Sequence, residues 1–459
     1  DMLCRADSIG VFQVESRAQM GTLPRLKPRR FYDLVVEIAL IRPGPVQGGA
    51  VHPYIRRRTG EEPVTYLHPK LVPVLERTLG VPLFQEQLMQ MAVAVGNCTP
   101  ADADLLRRAM GSKRGVERIE SLKERLYAGM AENGIDDETA DTIYAKIQAF
   151  ANFGFAESHS LSFGLLVYAS SWLKLHYPAA FLAALLRAQP LGFYSPQTLT
   201  ADARRHGVEV RRPDIQRSGV DAGLEPLTAT APPPPATGMP GCADRVQPPV
   251  PDFDPHAPDR SAEHRRDGAY AVRLGLADVS SIGKPLAERI VAERDRGGPF
   301  RDMPDVARRV GLETAELEAL SAAGAFASFG LDRRRALWLA GEAAQDRPEY
   351  LPGSVVVVQP PLLPVLTETE QVVYDLWATG ISPDDHPIRH IRDRLDARGG
   401  IRVDRLRETE SGRRIEVGGV VTHRQRPATA SGITFLNVED ESGTVNIIAS
   451  VGVWNRYRR

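Results

Sequence analysis

At roughly 100–200 residues per domain, 459 residues are enough for several domains. With 42% apolar and 25% charged residues the chain has the balance of a globular protein that buries a core without metal or disulfide. Lys and Arg number 57 against 58 Asp and Glu, which excludes a strongly basic or acidic chain but not local basic patches, and only those matter for phosphate.

Residues 1 to about 200 read as mainly helical. Val116, Ile119, Leu122, Leu126 and Met130 recur at helical steps, and Gly134 follows as a stop. Asp136 and Asp137 stand where an N-cap belongs, ahead of Ile143, Ile147 and Phe150. A further helix is expected from His159 to Arg187, with Pro178 as a break or fresh start. Its apolar run, Leu161 to Leu173, is interrupted by serines and falls short of the roughly 18 residues that a membrane span needs; it is expected to be a buried helix. From about 226 to 266 Pro, Asp, Ala and Gly dominate, with four prolines at 232–235, the composition of an extended linker. Helical periodicity returns from 276 to about 344, and a loose stretch follows from about 346 to 371. From Arg414 to Ser450 the pattern alternates as strands, with Ser431-Gly432 and Glu441-Ser442-Gly443 as turns. Cys4, Cys98 and Cys242 form no CxxC pair, which argues against a disulfide framework or zinc site and leads us to expect a reducing cytoplasm. No nucleotide-binding glycine motif of the dinucleotide or P-loop type occurs in a strand-to-helix context.

The most informative string is Ala103-Asp104-Leu105-Leu106-Arg107-Arg108-Ala109-Met110-Gly111-Ser112-Lys113-Arg114. Paired arginines near a helix end can grip a triphosphate through fork-like hydrogen bonds, although an RR pair alone is usually a solvated face. The whole string resembles the LRRAMGKK-like element in the fingers of bacterial DNA polymerase III alpha subunits, the C-family of DNA polymerases. Further strings resemble the same family in the right order: Gly10-Val11-Phe12-Gln13-Val14-Glu15-Ser16-Arg17, Ile41-Arg42-Pro43-Gly44-Pro45, Leu83-Phe84-Gln85-Glu86-Gln87, Gly154-Phe155-Ala156-Glu157-Ser158-His159-Ser160 and Arg212-Pro213-Asp214-Ile215. Replicative members usually carry Asn-Lys before the SHS string. Ala156-Glu157 in that place resembles the error-prone, ImuC-type translesion branch, and the Pro-rich insertion points the same way.

The resemblance implies nucleotide-binding roles for Arg107, Arg108, Lys113, Arg42 and His159, with Arg108 weighted most. For His159 a satisfied core histidine is an equal alternative. It also implies Mg2+ held by palm aspartates that lie ahead of the GVFQ string, so no catalytic residue or metal ligand is expected within this chain, and both ends are expected to be cuts. Implied partners are primer–template DNA, deoxynucleoside triphosphates, other damage-tolerance polymerase proteins and the sliding clamp, with no membrane. Gln345-Asp346-Arg347-Pro348 makes no convincing clamp peptide, so that contact stays unassigned.

Two further modules follow. Leu276 to Ile290 has the form of a helix-hairpin-helix, in which a turn ending in Gly lets backbone N–H groups face a phosphate. Ser281, Gly283 and Lys284 are its candidate DNA contacts; many such hairpins have Gly-x-Gly, and here Ser281 replaces the first glycine. The strand-rich tail resembles the first strands of an OB-fold, with Arg424 and Arg426 as candidate contacts and Phe435 as a stacking or core residue.

The expected fold is therefore multidomain and mainly α: polymerase fingers at 1–215, a Pro-rich linker at 216–267, a tandem helix-hairpin-helix module at 268–345, a linker at 346–411 and an incomplete OB-fold at 412–459. The expected activity is the nucleotide and DNA contacts of an error-prone DNA-directed DNA polymerase. The replicative alpha subunit, or a non-catalytic DNA-binding protein for this stretch alone, stay open as alternatives.

Overall fold

The computed structural model describes residues 1–41, 51–110, 115–149, 155–229, 250–345, 361–426 and 432–458. The chain divides into two compact units, Asp1–Trp172 with Gly241–Asp259, and Leu173–Pro240 with Arg260–Arg459.

The first unit is helical. Phe31–Leu40 begins where Asp33 Oδ2 accepts the N–H groups of Arg29 and Arg30, at 2.7 and 3.0 Å. Pro100–Ala109 is opened by Thr99, whose hydroxyl accepts the Asp102 N–H while Asp102 accepts the Thr99 N–H, so two amides that helix starts leave free are satisfied together. Leu88, Met91 and Val95 of Gln85–Gly96 pack with Leu106, Ile119, Leu126, Met130 and Ile143 in one core. Helices Gln85–Gly96 and Lys123–Glu132 approach backbone to backbone: a Cβ on Gly129 would stand 2.0 Å from the Gly96 carbonyl oxygen, so only glycine fits there.

The helix read from Val116 to Met130 is two, Gly115–Glu120 and Lys123–Glu132, with a turn at Ser121 and Leu122. Asp136 caps Asp137–Ala149 through the Thr139 N–H at 2.8 Å, and Pro178 starts a fresh helix, Pro178–Arg187. Phe150 lies outside the described residues. The Glu157–His176 helix is not the buried element its apolar run suggested. Val167 is buried, but Leu165 is 60% and Leu166 49% exposed, because apolar residues stand all round the helix and one side meets the core.

In the second unit, β1 (Val210–Arg211), β2 (Gly223–Pro226) and β3 (Tyr270–Arg273) form a sheet of order β1-β3-β2. β3 runs parallel to β1 and antiparallel to β2. Gly223–Pro226 thus lies in a strand within the stretch expected as linker. Ile215 donates its N–H to the Ala325 carbonyl at 2.8 Å and belongs to the hairpin core with Leu276, Ile282, Ile290, Leu317 and Phe326. Around that core stand Gly283–Gly297, Met303–Val310, Thr314–Ala323 and Arg333–Ala343.

A further helix, Glu368–Thr379, stands in the second expected linker, opened by Thr367 and Glu370 as a reciprocal cap. Its buried Asp375 accepts Arg212 at 2.8 Å and is also bound by Arg333, and its Ala378 joins the hairpin core. Three antiparallel strands follow in the order β4-β5-β6: Val420–Gln425, Thr434–Glu439 and Thr444–Ala449. A bulge interrupts β4 between Val421 and His423, and Val451–Tyr457 closes the chain as a helix, which the strand-like reading of the tail did not anticipate.

Candidate nucleotide and DNA interface

Arg107 and Arg108 end the Pro100–Ala109 helix side by side and point into solvent, their side chains 45% and 68% exposed. Both are held by one carboxylate. Asp104 Oδ1 accepts Arg107 Nε and Nη2 at 3.0 and 2.8 Å, and Asp104 Oδ2 lies 2.8 Å from Arg108 Nε. Spacings of three and four residues bring these groups together on one helix face. The bond from Arg107, aided by Arg108, holds the Asp104 carboxyl below the usual range, so it stays ionised and orients both guanidiniums. The Arg108 side chain is held at Nε and remains exposed, a placement that a phosphate oxygen pair can reach.

His159 is exposed, which removes the core-histidine alternative. Its ring packs 4.2 Å from that of Phe163 and edge-on to Phe155 at 5.4 Å, while Phe12 lies 5.2 Å from Phe163. The GVFQ and SHS strings therefore meet in one aromatic row, and Phe12 donates its N–H to Ser170 Oγ at 3.2 Å on the same helix. The LFQEQ string joins them: Gln85 donates its N–H to the Phe155 carbonyl, and Glu86 accepts the Glu157 N–H, both at 2.9 Å. Among the described residues no hydrogen bond or ring contact links His159 to the arginine pair. Arg42 and Lys113 lie outside the described residues.

Glu157 takes part in a side-chain network. It accepts the Tyr32 hydroxyl at 2.6 Å and pairs with Arg77 at 3.1 Å, and the Arg77 guanidinium lies 5.4 Å from the centre of the Tyr32 ring. Burial and the bond to Glu157 push the Tyr32 hydroxyl well above its ordinary range, so it remains a donor.

At the hairpin, Ser281 has φ of 71° and Gly283 of 61°. Both positions of the expected Gly-x-Gly are thus left-handed, and Ser281 adopts the conformation that glycine takes without strain. Ile282 between them is buried, and Gly283–Gly297 starts with no side-chain cap, leaving its first amides for an outside acceptor. Lys284 is 63% exposed, with Asp221 at 3.8 Å. On β4 Arg424 is exposed over the Trp454 ring at 5.3 Å, Arg426 is exposed just beyond, and Phe435 is half-buried opposite Gln425.

Residues 1–134 match the family model described as bacterial DNA polymerase III alpha subunit finger domain, and residues 207–336 match the helix-hairpin-helix motif. The whole chain aligns with a protein of Cutibacterium acnes named error-prone DNA polymerase, 64% identical over 464 residues and covering 41% of that protein. Proteins of the same name from Nocardia farcinica and Mycobacterium tuberculosis are 56% and 53% identical, with all of this chain and 37% and 38% of theirs aligned. Along its whole length the chain is thus similar to error-prone DNA polymerases, and at residues 1–134 to the finger domain of bacterial DNA polymerase III alpha subunits. It spans about two fifths of the length of these curated relatives. Their shared name agrees with the branch that Ala156-Glu157 resembles.

The carboxylates close in sequence to the arginine pair are each engaged by protein groups. Asp102 is occupied by Thr99 and, at 2.8 Å, by Arg125; Asp104 by the arginine pair; Asp136 by the Thr139 amide and hydroxyl. Sequence reasoning missed Asp104 as the organiser of the pair, though its spacing to Arg107 and Arg108 was readable. It also missed Phe12 and Phe163, whose contact joins positions 151 residues apart and has no local signal.

Proposed function

We propose that this chain supplies the incoming-nucleotide and DNA contacts of an error-prone, template-directed DNA polymerase. The observation that carries the proposal is the exposed Arg107–Arg108 pair, aligned by one ionised carboxylate at the end of a finger helix. The guanidiniums neutralise the triphosphate of a deoxynucleotide, and the aromatic row through His159 flanks the nascent pair. The hairpin at Ser281, Gly283 and Lys284 holds a phosphate of primer–template DNA without reading bases. The strands that carry Arg424, with Arg426 just beyond β4, serve as part of an OB-type single-strand surface. The family uses divalent metal, here proposed as Mg2+; no step is assigned to it on these residues. Among the described residues no helix is long and apolar enough to cross a membrane.

The test is the double substitution Arg107→Ala with Arg108→Ala in the full-length polymerase. Its KM for nucleotide should rise steeply while its affinity for primer–template stays near that of the parent. An unchanged nucleotide KM rejects the assignment.

A further inference from the structure

Beside the hairpin stands a side chain that the phosphate-binding reading leaves unused. Ser280, the residue entering the turn, donates its N–H to the Ala378 carbonyl at 2.7 Å and its hydroxyl to the Trp377 carbonyl at 3.2 Å. The C-terminus of helix Glu368–Thr379 is thereby fastened to the turn that presents Ser281 and Gly283. The inner side of that helix is fixed by Val372, Asp375 and Ala378, all buried, with Asp375 bound by Arg212 and Arg333. Its outer side carries Trp377, 63% exposed, and Val373, 61% exposed, one turn apart. An indole on so firmly anchored a backbone is a rigid platform, and indole faces accept any base.

We propose that Trp377 is a base-stacking residue for single-stranded DNA that leaves the duplex held by the hairpin. The proposal rests on the hairpin reading, since it is the neighbouring phosphate contact that makes nucleic acid the occupant of this apolar ridge. Lys284 and the free amides of Gly283–Gly297 hold the backbone of one strand, and the indole receives an unpaired base of that strand. Stacking adds affinity without adding a counterion-releasing contact, so it shows in preference for a tail and not in salt dependence.

The test uses the 459-residue chain and two DNAs of arbitrary sequence, a blunt duplex and the same duplex with a single-stranded tail, titrated across salt. Trp377→Ala should weaken binding to the tailed DNA by about tenfold or more, leave the blunt duplex unaffected and leave the salt slope unchanged. Trp377→Phe should recover most of the loss, because a ring still stacks. Lys284→Ala should weaken both DNAs alike and reduce the slope by about 1. If Lys284→Ala behaves so while Trp377→Ala leaves tailed DNA unaffected, or weakens both DNAs equally, the stacking role is overturned and the hairpin reading stands. If Lys284→Ala changes neither affinity nor slope, the hairpin reading fails and takes the stacking role with it.

Discussion

Arg108 Nε lies 2.8 Å from Asp104 Oδ2, one helical turn away on the same face. Because both groups are exposed, the pair contributes little to stability; its effect is to pre-orient an exposed guanidinium. Arg107 shares the carboxylate through Oδ1, so the three side chains act as one unit.

The hairpin turn makes a prediction about stability. Ser281 occupies φ of 71°, where a Cβ costs about 1 kcal/mol or more and glycine pays nothing sterically. Ser281→Gly should raise the unfolding midpoint of the chain in denaturant and preserve DNA affinity. Gly283→Val, at φ of 61°, should do the reverse on both counts, although an added Cβ meets nothing within 4 Å. Unaltered stability in both variants would mean that the turn is not left-handed in solution.

Glu157 makes a second. Replacing it by lysine removes the acceptor of the Tyr32 hydroxyl and sets a cation beside Arg77. Glu157→Lys should destabilise the first unit by about 1–3 kcal/mol, the cost typical of stranding a part-buried polar group. Glu157→Gln keeps an acceptor for Tyr32 and should lose less. Chemical denaturation followed by tyrosine fluorescence checks the order, and equal stability of the lysine variant would show that the network carries no weight.

Much of this site was readable in the chain and some was not. The GVFQ, LFQEQ, LRRAMG and SHS strings were legible as motifs and all lie in the first unit, and the Thr367 to Glu370 spacing that caps a helix was visible inside the stretch taken for linker. Pairings across long separations leave no local trace. Val210 opposes Val272 in the small sheet, and Tyr32 reaches Glu157 across 125 residues. The exposed apolar face of Glu157–His176 was misread for a related reason: apolar periodicity reports what can be buried, not which side finds a partner.

Glu37 predicts a pH dependence. The side chain is wholly buried in helix Phe31–Leu40, and neither carboxylate oxygen has a hydrogen-bond partner among the described residues. Burial pushes its pKa up to about 8, opposed only in part by Arg25. The folded protein therefore binds a proton that the unfolded chain releases between about pH 4.5 and 8. Stability should fall as pH rises through that window, since the unfolded state binds fewer protons there. Glu37→Gln should remove this loss. Urea unfolding of the two proteins should give similar midpoints at low pH and a higher midpoint for the glutamine variant above pH 8. Parallel pH profiles would contradict a neutral, buried Glu37.

The equilibrium Kd for a correct deoxynucleoside triphosphate, measured on the full-length protein with primer–template bound, tests the proposed role of Arg108 most directly. Arg108→Ala should raise that Kd by about ten- to a hundredfold, the loss expected for one charge-assisted contact. Arg108→Lys should recover only part of it, because an ammonium keeps the charge but not the fork. A nucleotide Kd unchanged in Arg108→Ala would contradict the account.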